Sequence, residues 1–294
     1  MMGALISLVA FTGCSFLGPC VQGYGPVIIQ DRNHLDFIAV SNTFEYEVRV
    51  AKSDTFGVRV EAQENLHDLI ETYVSGSTLV VKSKNNICFN SSVPVIVYVS
   101  MPVVEEIRNT GSGRLSADRS ESLEFECSNS GSGVISIDSV FASSLSLKNS
   151  GSGKLYVTAS YPDEIDVIQS GSGMIDAGIV DRPLEVNINH TSSGKIFATI
   201  LDGEEVDARL SGSGLIMLSG GSEFADLTLS SSGKIDAIEM EVPAAEALIS
   251  GSGKIFVYAT DYLDVTISGS GSLYYRGNPQ LSTRISGSGS VRSY

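Results

Sequence analysis

The 294-residue chain carries 34 Asp plus Glu against 19 Lys plus Arg, a net charge of −15. That balance argues against DNA, RNA and anionic polysaccharide as general partners, because each needs a basic surface for counterion release and phosphate or carboxylate contacts. Hydrophobic residues at 42%, charged residues at only 18% and no Trp fit a core of small aliphatics carried on short strands.

The first charged residue is Asp31, and residues 4–11 are an apolar run too short to span a bilayer. Residues 1–13 therefore read as an export signal. Phe11-Thr12-Gly13-Cys14 resembles the bacterial lipobox, with Phe11 in place of the usual Leu and no Lys or Arg in the preceding segment. On that reading Cys14 is the lipidated mature N-terminus, and its diacylglycerol supplies the two chains that stable anchoring needs. The other reading is an ordinary signal peptide. Residues 14–30 contain Gly18, Pro19, Gly23, Gly25 and Pro26, the composition of a flexible tether. The remaining cysteines, Cys20, Cys88 and Cys127, are odd in number and give no disulfide framework. Cys127 falls at an inward strand position and reads as a small buried apolar residue.

Residues 31–101 form an irregular β opening without a fixed period. Residues 35–40, 46–50, 58–62, 79–81 and 93–101 alternate apolar with polar side chains and predict strands. Residues 66–74 fit helix or strand by pattern, and strand is preferred because Ser75-Gly76-Ser77 supplies a turn directly into Leu79. This part is expected to cover the first coil, as the ends of a solenoid must be covered.

From residue 102 to 294 the chain repeats. Gly111-Ser112-Gly113 returns with its last Gly at 133, 153, 173, 194, 214, 233, 253, 271 and 289, at intervals of 18 to 21 residues. A fixed period near twenty means stacked coils. Two places after each last Gly stands an aliphatic residue, from Leu115 and Ile135 to Leu273 and Val291, and four places after it a second inward residue. A second strand precedes each triplet, with Phe125 and Cys127, Leu145 and Leu147, Ile165 and Val167 facing inward by the same alternation. A third short strand fits between them. The architecture predicted is all-β, a right-handed single-stranded parallel β-helix of about ten coils, roughly 45 to 50 Å long at the rung spacing. A left-handed helix would show a hexapeptide period, which is absent. The last Gly of each triplet is kept where the first becomes Ser192 or Ser231, so it is expected to hold a conformation that other residues reject. Two places before each triplet, Asn109, Asn129, Asn149, Gln169 and His190 give way to Leu210, Leu229, Ile249, Ile267 and Ile285. This column is expected to be an internal amide ladder in which stacked side chains satisfy one another.

These repeats, with residues 35–40, Asn65-Leu66-His67-Asp68-Leu69-Ile70, Gly76-Ser77-Thr78-Leu79, and Pro102-Val103-Val104-Glu105-Glu106-Ile107 running into Asn109-Thr110-Gly111-Ser112-Gly113, resemble the putative auto-transporter adhesin head domain family, also called the head GIN domain. The likeness covers nearly all of residues 31–294. It implies a bacterial, exported, often lipid-anchored β-helix with no catalytic residues to carry over.

Two outer columns are candidate sites. On the first strand Tyr156, Phe197, Phe256 and Tyr274 share a face with Arg114, Lys154, Lys195, Lys234 and Lys254, a pattern able to bind a glycan or a protein. A carbohydrate-active, pectin-lyase-like enzyme is the alternative. Its candidate carboxyls on this face, Asp176 and Asp236, stand three coils apart, about 14 Å, too far for a hydrolytic pair. On the second strand Glu106, Glu126, Asp166, Asp207, Asp226, Glu246 and Asp264 form an acidic ladder. Like charges so placed need cations, neighbouring Lys148, Arg209 and Arg284, or water; weak Ca²⁺ binding at Asp207, Asp226, Glu246 and Asp264 is one candidate. His34, His67 and His190 lack the spacing of a zinc site. No other cofactor motif is present. The reading is a non-enzymatic binding or adhesion module, lipid-anchored in the bacterial envelope at the outer membrane. The structural alternative is a rod that self-associates through its C-terminal coil.

Overall fold

The computed structural model describes residues 20–294. Cys14, the segment 1–13 and the start of the 14–30 tether lie outside the described residues. The fold is all-β, with stacked parallel coils forming a β-solenoid of about nine turns.

Eleven strands build the cap and the first regular coil: β1 (Val21–Gln22), β2 (Val27–Arg32), β3 (Ala39–Asn42), β4 (Glu47–Lys52), β5 (Gly57–Gln63), β6 (Ile70–Ser75), β7 (Thr78–Ser83), β8 (Phe89–Asn90), β9 (Ile96–Met101), β10 (Glu106–Asn109) and β11 (Arg114–Glu121). Beyond them each coil pairs in parallel with the next, so every side chain sits above its counterpart one repeat away. Leu115, Ile135, Leu155, Ile175, Ile196, Ile216, Ile235, Ile255 and Leu273 form one such column and are all fully buried. The second-strand positions fill the opposite wall, with Phe125, Leu145, Ile165, Val186 and Val206 likewise buried. The third strand exists as the far half of the first: Ser120, Val140, Ser160, Val180 and Ile200 stack as a third inner column. Ser120 is accommodated there because its hydroxyl donates to the carbonyl of Val104 at 2.7 Å. In later coils the chain stays extended through the corners, as in Lys195–Leu210 and Lys234–Ile249. Irregularities between Asp176 and Ile179 and between Ile200 and Gly203 accompany the 21- and 19-residue intervals.

The corner glycines are required for room, which corrects the expectation drawn from the sequence. None of the ten last glycines has positive φ. A Cβ on Gly133 would instead run into the carbonyl oxygen of Gly113 and lie 2.6 Å from Asn109 Nδ2. The corner of one coil sits directly on the backbone of the one before, and only hydrogen fits. Ser192 and Ser231, at the first-glycine place, turn their hydroxyls onto the carbonyls of Gly171 and Gly212.

The amide ladder is only partly as expected. Asn42 donates to Asn109 Oδ1 at 3.0 Å and Asn109 to Asn129 Oδ1 at 3.3 Å. From Asn129 onward the amides turn to the corners: Asn129 Nδ2 reaches Gly133 O at 3.0 Å, Asn149 Nδ2 reaches Gly153 O at 3.0 Å, and Gln169 Nε2 reaches Gly171 O at 2.8 Å. His190 closes the series with Nε2 at 2.8 Å from Gly194 O. Leu210 and Leu229 then take the same place without polar atoms to satisfy.

The opening segment holds an additional coil that the twenty-residue period conceals. β3 pairs in parallel with β10 on one side and β7 on the other, and β4 pairs with β11 and β9. Residues 39–52 are therefore a full coil, stacked between one made of β7 and β9 and the first regular coil. Phe44 and Tyr46 stand where the next coil has Gly111 and Gly113. No stacked corner lies beneath them, and Phe89 fills the space instead, its ring 5.8 Å from Phe44 and 5.1 Å from Tyr46. β5 and β6 then close the end antiparallel to β9 and β7, and β2 adds antiparallel to β5. Antiparallel strands stop the parallel stack from growing at this end.

Three further expectations are corrected here. The tether assigned to 14–30 is already strand at Val21–Gln22 and Val27–Arg32. Residues Glu64–Leu69 form a 3₁₀ turn before strand begins at Ile70, because Leu66 and His67 must turn inward over the cap. A disulfide joins Cys20 to Cys88 across the β1–β8 pair, leaving Cys127 as the free and buried thiol among the described residues. The odd count concealed this pairing because the third cysteine belongs to the core, where burial pushes its thiol pKa upward.

Candidate functional site

The parallel register turns each outward position into a straight column. On the first side the column reads Tyr98, Arg49, Ser116, Ser136, Tyr156, Asp176, Phe197, Met217, Asp236, Phe256, Tyr274 and Arg292. The four aromatic candidates do share this face, and they fall into two groups. Phe256 and Tyr274 stack at 4.9 Å with an interplanar angle of 14°, and Tyr294 meets Phe256 edge-on at 6.1 Å. Lys234 Nζ lies 4.3 Å from the Phe256 ring centre while pairing with Asp236 at 2.7 Å. Phe256 is thus engaged by an ammonium and by a second ring, making a compact amphipathic patch. Tyr156 and Phe197 are separated by Asp176, and among the described residues neither ring stacks on another. The Asp176 carboxylate accepts the Gly178 N–H at 3.1 Å.

The acidic ladder is equally straight: Asp207, Asp226, Glu246 and Asp264 occupy successive strands in register. Its charges are balanced mostly by neighbouring side chains. Arg108 bonds Glu106, Lys148 bonds Glu126 at 3.0 Å, Arg209 bonds Asp207, and Arg284 approaches Asp264 at 3.8 Å. Asp226 accepts from the Thr228 hydroxyl at 3.4 Å. Burial holds the Asp207 carboxyl above its usual pKa, reinforced by Asp226 and Glu205 and opposed by Arg209. Among the described residues no three His, Cys, Asp or Glu side chains converge where an ion could sit. The register that aligns these carboxylates also keeps them one strand apart, with ion pairs at Glu106, Glu126, Asp207 and Asp264.

The sequence reading passed over one concave site. An open cavity of about 360 Å³ lies at the cap end of the first side, bordered by Arg49, Arg59, Tyr98, Ser100, Ser116 and Asp118. Most of these residues belong to the cap, outside the Gly-Ser-Gly repeat. Superposing Glu47-Val48-Arg49-Val50 on Arg114-Leu115-Ser116-Ala117 was the signal that would have placed Arg49 on the column.

A parallel β-solenoid with outward columns of mixed aromatic and charged side chains is a surface-presenting scaffold. The family model described as "Putative auto-transporter adhesin, head GIN domain" matches residues 36–197 and 179–279, and the chain belongs to that family. Its description is that of an exported binding module. Solved structures share the fold. A putative adhesin from Parabacteroides distasonis is 20% identical with a TM-score of 0.57, covering 93% of this chain and 99% of its own. A putative adhesin from Parabacteroides merdae is 19% identical at 0.56, with 93% and 98% covered. A putative lipid binding protein from Parabacteroides distasonis is 24% identical at 0.50, with 93% and 99% covered. No curated protein matches the chain. No helix among the described residues is long and apolar enough to cross a membrane.

Proposed function

We propose that the protein is a non-enzymatic adhesion module, anchored by lipid on Cys14 in the bacterial outer membrane, whose ligand surface is the outer face of the first side. The observation that carries this reading is the register itself. It sets Tyr156, Phe197, Phe256 and Tyr274, with their flanking lysines, on one face at a constant rung spacing, an arrangement suited to an extended glycan or a protein surface. Export is supported by the Cys20–Cys88 disulfide, since such bonds persist in oxidising compartments. A non-enzymatic role is supported by the engagement of Asp176 with a backbone N–H and of Asp236 with Lys234, and by their separation of three rungs where a hydrolytic pair needs about one or two.

The test is a glycan and host-protein array with the wild-type chain and with Tyr156, Phe197, Phe256 and Tyr274 each replaced by Ser. Loss of the bound signal in at least two single variants is expected. Unchanged binding in all four discards the face, and release of a shortened glycan replaces the adhesin reading with the enzyme.

A further inference from the structure

We propose that the cavity at the cap end is a separate binding site for a sugar residue bearing a carboxylate, with Arg59 as its anion-binding group. Strands β4, β9 and β5 lie side by side, and their registers set Arg49, Tyr98 and Arg59 in one outward row. Each guanidinium carbon is 5.7 Å from the Tyr98 ring centre. The two arginines differ in what holds them. Glu47 grips Arg49 with two hydrogen bonds of 2.8 and 3.0 Å. Arg59 is exposed and has no ion pair among the described residues. The Tyr98 hydroxyl donates to Glu61 Oε2 at 2.8 Å, which fixes the ring between them.

The cavity exists because the next row is small. Ala51, Ser100 and Gly57 are cross-strand neighbours there, and a Cβ on Gly57 would lie 2.6 Å from Ser100 Oγ. On the far rim the Asp118 carboxylate is oriented by the backbone N–H groups of Lys52 and Arg119, at 3.0 and 2.7 Å, through one oxygen. Its second oxygen remains to accept.

These groups select a ligand class. A guanidinium fork matches a planar carboxylate, and a neutral sugar would leave it without a counterion. Asp118, Asp138, Ser100 and Ser116 on the rim accept hydrogen bonds from sugar hydroxyls. A volume of about 360 Å³ falls in the range of small-molecule pockets.

Calorimetry on the exported chain tests the site with trigalacturonate, N-acetylneuraminic acid, uncharged galactotriose and a tri-glutamate peptide. One of the two acidic sugars is expected to bind, at least about tenfold more tightly than galactotriose, the scale of one charge-assisted contact. Arg59→Gln should weaken that binding by about tenfold or more. Ser116→Tyr, a side chain the same column already carries at Tyr156, should fill the cavity and abolish it. A Phe256→Ser, Tyr274→Ser double variant should leave it unchanged, which separates failure here from failure of the aromatic face. No heat from either acidic sugar, equal affinity for galactotriose, or full affinity in folded Arg59→Gln or Ser116→Tyr overturns the proposal. Tighter binding of tri-glutamate overturns it in favour of a protein ligand.

Discussion

At the scale of single residues the corner glycine decides whether coils can stack. A Cβ on Gly133 would meet the backbone carbonyl of Gly113, which cannot swing aside as the Asn109 side chain can. Gly133→Ala is expected to destabilise the fold by about 1–3 kcal/mol, the cost of overpacking a rigid site. Ser112→Ala, at the exposed centre of a triplet, should change it by under about 0.5 kcal/mol. Urea denaturation of the two variants measures the contrast, and equal midpoints would remove the steric account. The strictness of the repeat was legible in the sequence while its cause was not. Glycine is kept both for positive φ and for lack of space, and composition does not separate the two.

Among the elements, the cap depends on its staple. β1 pairs only with the two-residue β8, and β2 pairs with β5 but is exposed along its length, so little apolar burial holds residues 20–32 to the body. The Cys20–Cys88 bond spans 68 residues, and closing a loop of that size restricts the unfolded chain by about 4 kcal/mol in the entropic account. Cys88→Ser is therefore expected to lower stability by about 2–4 kcal/mol. Limited proteolysis should then cut near Tyr24 while leaving the coils from 106 onward intact. Resistance at Tyr24 in the reduced variant would show that strand pairing alone secures the segment. Here the sequence misled twice, since Gly18 to Pro26 reads as linker by composition and parity hid the cysteine pair. The first depends on pairings 26 to 68 residues away and the second on a bond spanning 68. The aromatic and acidic columns, by contrast, followed directly from the period. Arg59 and Tyr98 did not, because the cap aligns them through antiparallel pairings that no repeat announces.

For the whole molecule, each regular coil pairs along its strands with the coil before and the coil after it, so stability is close to a sum of neighbouring interfaces. The stack is not uniform. Leu263, Val265 and Ile267 are fully buried, whereas in the last coil Leu281 is 39% and Ile285 45% exposed. Hydrogen exchange is expected to be fastest over Gln280–Ile285 and Ser290–Ser293 and slowest in the coils between Glu124 and Ile249. Uniform protection along the axis would mean that the solenoid opens as one cooperative body instead.

The interleaving of β3 and β4 between β7, β9 and the first regular coil has a consequence for how such a chain can change its length. A duplicated segment of one period, inserted between two Gly-Ser-Gly corners, meets neighbours of its own kind on both sides. It leaves every column in line and lengthens the stack by about 4.8 Å. The same duplication within residues 39–101 would separate strands that are consecutive in space but not in sequence. Gain or loss of whole repeats is thus tolerated by the register only in the part beyond Glu106. The cap stays a single copy however long the stack of coils becomes.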